Sequence, residues 1–523
     1  MKQIYNNRLF IVFVAPFFLG LSTVFTFEPF NYTLLNFIIL PFFFLLISFI
    51  NRKSRGIYRK KPYLSNLFFV GYSFGVGFFL SGTFWISYSL TYDANFQYLI
   101  PFSIIFFPIF LGLFFGLASL LIGSKIENDI YSVLLFCSSF AFIDFIRSKI
   151  LSGFPWNLWA YSWSWFPETL QIVNIIGLFA FNLLTLTIFC LPLLLIFKNK
   201  KINIPLLFIL LIFFFSNYLF GSFIINKQKK NLFTDNNYQI NLVNFKIVSP
   251  NFDLKYDLNL DQIEKKILKL VKYSEPQKEK KTIFVWPEGV FSGYNFSEIL
   301  KFKSLIKKNF SKNHLIIFGI NKINQSGNNY NSLLVVDNDF NIQYQYNKKK
   351  LVPFGEFLPL EKYLNYLGVK KITEGYGSFA KGIKQNNFQI RDINILPLIC
   401  YEIIFTELVQ NKNNKSNLIV NISEDAWFGG TIGPHQHFAK SKFRAIENGT
   451  YVIRSANQGI SAFINNNGIV IKRLEPYETG NLESNIPLIN NSNKNKNDLI
   501  FFILLFTYTI IFFTLRNKLN DKK

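Results

Sequence analysis

Eight long apolar blocks set the pattern of this chain: Leu9–Phe25, Leu34–Ile50, Leu64–Ile86, Leu99–Gly123, Ile130–Ile146, Leu170–Phe197, Ile204–Phe223 and Leu499–Leu515. Each approaches the roughly 20 residues a helix needs to cross a bilayer. Buried helices of a large soluble protein would need amphipathic neighbours, and these blocks have none. The first block has no obvious small-residue cleavage site and is followed at once by more apolar blocks, so it reads as a retained span. The pattern changes completely over Asn226–Asp498. Strand-like runs occur at Tyr238–Val248, Thr282–Trp286, His314–Phe318, Ser332–Val336, Ile342–Tyr346, Ile393–Ile399, Leu418–Ile422, Tyr451–Ser455 and Ser461–Ile464. Between them, Asp261–Tyr273 carries Ile263, Ile267, Leu268 and Val271 at helical spacing, and Ser297–Lys307 and His437–Asn448 also read as helices. Strands alternating with helices predict layered sheets covered by helices. The organisation expected is therefore a membrane domain of seven spans over 1–225, an α/β domain over 226–490, and a linker, eighth span and basic tail over 491–523.

Charge fixes an orientation for this polytopic α-helical membrane protein. Arg52, Lys53, Arg55, Arg59, Lys60 and Lys61 lie between the second and third spans, Lys198, Lys200 and Lys201 follow the sixth, and Arg516, Lys518, Lys522 and Lys523 follow the last. The alternate loops Glu28–Thr33 and Thr91–Gln97 have no basic residue; only Arg147 and Lys149 run the other way. The positive-inside rule then places both termini in the cytoplasm and the α/β domain outside it, which in a Gram-negative cell is the periplasm. The net charge of +24 is accounted for by this asymmetry and by a Lys- and Asn-rich composition. No cluster interleaves stacking aromatics with arginine on a polar face, so no nucleic-acid partner is expected.

Three strand ends carry candidate chemistry. Ile393–Ile399 runs into Cys400-Tyr401-Glu402, which places a thiol where a rigid scaffold can aim it. Phe284-Val285-Trp286-Pro287-Glu288 ends in a carboxylate, and Tyr346 leads into Lys348-Lys349-Lys350 and then Glu356. Composition alone does not choose among the three lysines. Cys137 and Cys190 fall inside apolar blocks, so no disulfide framework is expected and Cys400 stays reduced. His435 and His437 have the look of a metal pair but no third ligand cluster accompanies them, so neither metal nor cofactor is expected.

Glu, Lys and Cys in this order, each just past a strand, resemble the triad of the nitrilase (carbon–nitrogen hydrolase) superfamily. The whole chain resembles the apolipoprotein N-acyltransferase family. The resemblance rests on Val285-Trp286-Pro287-Glu288, Leu351-Val352-Pro353-Phe354-Gly355-Glu356, Cys400-Tyr401-Glu402 and the run Asn421–Gly429. Pro434-His435-Gln436-His437, Arg444–Asn448, Arg454–Gly459 and the membrane-part Gly153-Phe154-Pro155-Trp156 add to it. It implies a four-layer αββα sandwich and phospholipid-to-apolipoprotein N-acylation through a thioester on Cys400. The donor expected is phosphatidylethanolamine, the acceptor a diacylglyceryl-apolipoprotein, and the protein a monomer. The family register selects Lys348 as oxyanion stabiliser, with Glu288 as base, Glu356 orienting the lysine, and Tyr401 and Glu402 shaping the pocket. Trp427 and Phe428 are expected to meet lipid. One departure is that Ser249–Tyr256 ends in Lys255-Tyr256 where the family usually has Lys-Trp, so the role of that tryptophan passes to Tyr256 or is lost. Two rival readings keep the same residues: a membrane-tethered amidase acting on a soluble substrate, and a binding protein on a catalytically dead fold, against which the intact triad argues.

Overall fold

The computed structural model describes residues 7–57, 62–234, 242–256, 258–366, 378–383, 387–390, 392–409, 416–489 and 498–520. The chain divides into two compact units. One comprises Met1–Ser87, Leu99–Lys229 and Lys496–Lys523, the other Tyr88–Tyr98 and Lys230–Asn495.

Among the described residues, six helices are long and apolar enough to cross a membrane: Thr33–Lys53, Tyr63–Tyr92, Ala94–Gly123, Ile130–Lys149, Leu178–Ile196 and Lys200–Gln228. The outermost two of the eight expected spans are shorter apolar helices, Phe10–Thr26 and Leu499–Thr514. The block Leu170–Phe197 is not one continuous helix. Short turns at Pro167–Leu170 and Val173–Ile176 precede Leu178–Phe189, because Gly177 at φ 81° breaks the path. Arg147, which opposed the charge pattern, is buried and paired: its Nη2 lies 2.9 Å from Asp144 Oδ1, and Asn182 donates to Asp144 Oδ2 at 3.0 Å. A neutralised ion pair inside a helical unit carries little weight as a topological signal.

The second unit is built on two six-stranded sheets. Its strands are β1 (Leu242–Ser249), β2 (Thr282–Val285), β3 (His314–Ile323), β4 (Asn329–Val336), β5 (Ile342–Asn347), β6 (Phe388–Ile390), β7 (Ile393–Ile399), β8 (Leu418–Glu424), β9 (Tyr451–Asn457), β10 (Ser461–Ile464), β11 (Val470–Leu474) and β12 (Gly480–Pro487). The orders are β12-β1-β2-β3-β4-β5 and β11-β10-β9-β8-β7-β6. The centres, β1-β2-β3 and β7-β8-β9, are parallel, and the flanks are antiparallel. Strand alternation decides the layers. Ile283 and Val285 of β2 join Ile317, Val335, Ile395, Val420 and Ile453 in a core between the sheets. Phe284 and Trp286 point the other way, into a second core with Ile263, Ile267 and Leu270 of the helix Leu260–Ser274. Helix Gly433–Asn448, buried along most of its length, belongs to the half that carries β6–β11. The expected layered α/β architecture is therefore present. Tyr238–Asn241, the start of the first expected strand, lies outside the described residues. The parallel centres matter most, because β2 leads through Trp286 and Pro287 to Glu288 and β7 leads directly into Cys400.

Candidate active site

Glu288 follows β2 through Pro287, and its carboxylate is fixed from two sides. Asn331 Nδ2 donates to Oε1 at 2.7 Å and the Glu424 N–H to Oε2 at 3.0 Å. Gly319 on β3 leaves the space this needs: a Cβ there would stand 2.8 Å from Glu288 Cα. Burial pushes the Glu288 carboxyl above its ordinary range and the Glu356 charge adds to it, against the pull of Lys348 and the two donors.

Lys348 stands at the end of β5, only 2% exposed, and its Nζ lies 2.9 Å from Glu356 Oε1 and 3.6 Å from Glu288 Oε1. Asn331 Nδ2 also donates to Glu356 Oε1 at 2.7 Å, so one amide ties the two carboxylates together. The Val352 N–H holds Glu356 Oε2 at 2.9 Å. Burial works against the ammonium, but Glu288 and Glu356 outweigh it and push its pKa up, so Lys348 stays charged. Lys349 and Lys350 are placed differently. Their backbone N–H groups donate to Glu402 Oε1 at 2.7 and 3.1 Å, and the Lys350 ammonium pairs with Glu407 at 2.8 Å. Of the three lysines, Lys348 alone brings its ammonium to the Glu288–Glu356 pair.

Cys400 opens a short turn, Cys400–Ile404, directly after β7. Its φ of 48° lies in the left-handed region that non-glycine residues seldom adopt, a conformation costing on the order of 1–3 kcal/mol that persists only when its surroundings enforce it. Glu402 is one such restraint. Its Oε2 accepts the Ile399 N–H at 2.9 Å, while Oε1 accepts Tyr346 Oη at 2.8 Å and the loop N–H groups already named. It thereby joins the Cys400 turn to the lysine loop. His437 supplies another, with Nε2 3.2 Å from the Cys400 carbonyl oxygen. Burial first, then the Glu288 charge, pushes the Cys400 thiol up, and Lys348 opposes them. The resting thiol is neutral, beside a carboxylate whose own proton affinity is raised.

The sequence-predicted residues Glu288, Lys348, Glu356, Cys400 and Glu402 converge here. Tyr401 packs edge-on against Phe405 at 5.0 Å. Tyr256 and Trp427 come together at a ring separation of 6.5 Å, with Trp427 partly exposed. Phe428 differs from the expectation of a lipid-facing ring: it is buried against His437, ring centres 5.2 Å apart. Sequence reasoning missed Asn331, Tyr346, Glu424 and Asn457, whose Nδ2 holds the Glu424 carboxylate at 2.9 and 3.0 Å. It also missed Tyr92, whose ring stands edge-on to Trp427 at 5.3 Å while its hydroxyl donates to Ala426 O at 2.7 Å. Tyr92 lies in Thr91–Gln97, which the sequence marks only as a loop without basic residues, and nothing local points to this role.

Comparison with known proteins gives two family matches. Residues 19–191 match the apolipoprotein N-acyltransferase N-terminal domain, and residues 249–489 match carbon–nitrogen hydrolase. An apolipoprotein N-acyltransferase of Rickettsia prowazekii is 31% identical over 430 residues, covering 80% of this chain and 82% of that protein. One from Brucella melitensis is 29% identical over 491 residues, covering 91% and 89%. A crystal structure of a CN-hydrolase superfamily protein from Xanthomonas campestris is 14% identical, covering 47% of this chain and 90% of its own at a TM-score of 0.34.

The close approach at Gly319 is directly testable. Gly319→Ala forces β3 away from Glu288 and is expected to cost about 1–3 kcal/mol, as overpacking does. Unfolding of the detergent-solubilised protein measures it, and a loss under ~0.5 kcal/mol would contradict the tight fit.

Proposed function

The chain belongs to the apolipoprotein N-acyltransferase family, and on that premise we propose that it N-acylates the diacylglyceryl-cysteine of apolipoproteins by way of a thioester on Cys400. The observation that carries this reading is the buried Glu288–Lys348–Glu356 cluster beside a cysteine held at φ 48°. Glu288 takes the Sγ proton as the thiolate attacks the phospholipid ester carbonyl. Lys348 and a backbone N–H beside Cys400 stabilise the oxyanion. Collapse expels the lysophospholipid, whose alkoxide recovers the proton from Glu288. The acceptor amine then attacks the thioester, Glu288 accepts its proton, and the thiol leaves with that proton. Thiolate chemistry suits this sequence because the thioester is activated toward amines, yet the cluster itself needs no metal or organic cofactor for the steps described.

Glu356 holds Lys348 at its working position, and Glu402 holds the turn and the lysine loop in register. Trp427 and Tyr256, with Tyr92 against them, form an aromatic group suited to an acyl chain or headgroup at the water–membrane interface. Phosphatidylethanolamine is the donor we propose, and a monomer the working form. The protein is a multi-pass bacterial membrane protein. We place its catalytic domain in the periplasm, both termini in the cytoplasm, and the boundaries of the membrane, catalytic and C-terminal parts at 1–225, 226–490 and 491–523, with eight spans in all. Amidase action on a soluble substrate is not favoured, since the matches extend through the membrane domain.

Purified protein given phospholipid and a diacylglyceryl peptide is expected to N-acylate the peptide, and Cys400→Ala to abolish this; substantial turnover by that variant would reveal another nucleophile. Lys348→Ala is expected to slow thioester formation about 100- to 1000-fold, the usual cost of one oxyanion donor, and Lys349→Ala only a few-fold. Reversal of that order in single-turnover mass spectrometry would move the catalytic lysine by one residue.

The pH dependence follows from the direction of the Glu288 shift. The base works only when ionised, so acylation rises with pH through its titration. Because burial raises that pKa, the acid limb should fall above the ordinary value of 4.5. Single-turnover rates across pH measure it, and a limb at or below 4.5 would contradict a desolvated base.

Orientation has its own check. A periplasm-active reporter fused near Ser492 should be active and one fused after Lys523 inactive; the opposite pattern would invert the topology.

A further inference from the structure

We propose that His437 is a positioning residue for acylation: by holding the carbonyl of Cys400 it aims the N–H of Tyr401, the backbone donor to the oxyanion. The two groups belong to one peptide unit. A trans peptide is planar, so its C=O and N–H point in opposite directions, and fixing one fixes the other. His437 Nε2 lies 3.2 Å from Cys400 O, which can only accept, so that nitrogen carries the proton.

The ring is itself held from several sides, all within this unit. Nδ1 accepts from Arg454 Nη2 at 3.1 Å, and Asp425 Oδ1, also 3.1 Å away, is a second acceptor that is kept there by its own donors. That carboxylate oxygen accepts Ser423 Oγ at 2.6 Å, and Asp425 Oδ2 accepts Arg454 Nη2 at 2.7 Å. Arg454 also donates to Asn421 Oδ1, and Asn421 Nδ2 donates to Leu398 O at 3.0 Å on β7. Phe428 closes one side, 5.2 Å away. His437, Asp425 and Arg454 are all essentially inaccessible to water. Burial and the Arg454 charge bring the imidazole down to about 4, against the upward pull of Asp425. At neutral pH it is therefore the uncharged tautomer, with Nδ1 accepting from Arg454 and Nε2 donating to Cys400.

This arrangement answers a need the catalytic cluster leaves open. Glu402 fixes the Leu398–Ile399 peptide through the Ile399 N–H, and a φ of 48° sets the thiol, but the peptide after Cys400 turns separately from both. A mis-turned peptide would leave the thiol reactive and the oxyanion short of one donor. The role is thus specific to reactions that build an oxyanion.

That specificity supplies the test, which rests on the reading of Cys400 as the acylated nucleophile. Two rates are measured on the full-length protein in detergent: thioester formation from phospholipid, and alkylation of Cys400 by iodoacetamide, which passes through no oxyanion. The wild type is the control for the underlying reading; if it forms no thioester, that reading and this inference both fail. His437→Phe keeps ring volume and removes the donor, and His437→Met serves the same purpose if the phenylalanine variant does not accumulate folded. We expect thioester formation to fall about 10- to 100-fold, below or near the range for loss of a whole oxyanion donor, with alkylation within about threefold of wild type. His437→Gln, which can again donate to Cys400 O, should recover most of the acylation. Unchanged thioester formation in the donor-less variant would overturn the proposal while leaving Cys400 as nucleophile. So would an equal loss of both rates, or a glutamine variant as slow as the phenylalanine one.

Discussion

The ammonium of Lys348, buried between Glu288 and Glu356, is the interaction on which the rest of the catalytic unit depends. An unpaired charge in such a place would be prohibitive, and removing one partner of a buried pair typically costs about 3–5 kcal/mol. The fold meets this demand with an acceptor from each side and an amide, Asn331, shared by both carboxylates. The same arrangement has a chemical consequence. A carboxylate that must share one lysine with a second carboxylate, out of water, binds a proton more readily than a surface glutamate. The same burial that makes the cluster costly thus raises the basicity of Glu288, as its proposed role as base requires.

Around this centre, each half of the sandwich delivers one reacting group at the end of a parallel strand. β2 brings Glu288 and β7 brings Cys400, and the core between the sheets fixes their relative position. Glu402 then couples the Cys400 turn to the loop carrying Lys348. A displacement of either sheet would therefore be felt at Glu288, Lys348 and Cys400 together. Glu288 and Cys400 are held firmly in place because each closely follows a core strand.

Much of this was legible in the sequence. The apolar blocks announced the membrane unit, and apolar runs ending in Glu288 and Cys400 announced the strand ends. What local pattern could not supply was the convergence of residues far apart in the chain. Asn331 and His437 meet their partners only through long-range folding within their own halves, and only the pairing of the two halves brings Glu424 to Glu288. Choosing Lys348 over Lys349 and Lys350 required family register, and the structure places the other two lysines' backbones on Glu402 instead. The strands β6, β11 and β12 escaped notice for a physical reason: β6 and β11 are sheet edges, β12 is half polar, and none alternates cleanly. Phe428 read as an interfacial aromatic, yet its neighbour Trp427 is the one left partly open, because successive residues of the 3₁₀ turn Asp425–Phe428 point about 120° apart.

The central claim is that this cluster makes Cys400 an acyl carrier whose thioester waits for an amine. The most direct measurement is a chase of the isolated acyl-enzyme. Protein is acylated by phospholipid, freed of donor, and mapped by peptide mass spectrometry before and after an acceptor peptide is added. The account predicts one acyl group on Cys400 that persists in buffer and moves in a single turnover to the acceptor amine. An acyl group lost to water as fast without the acceptor as with it, or carried on any other residue, would contradict it.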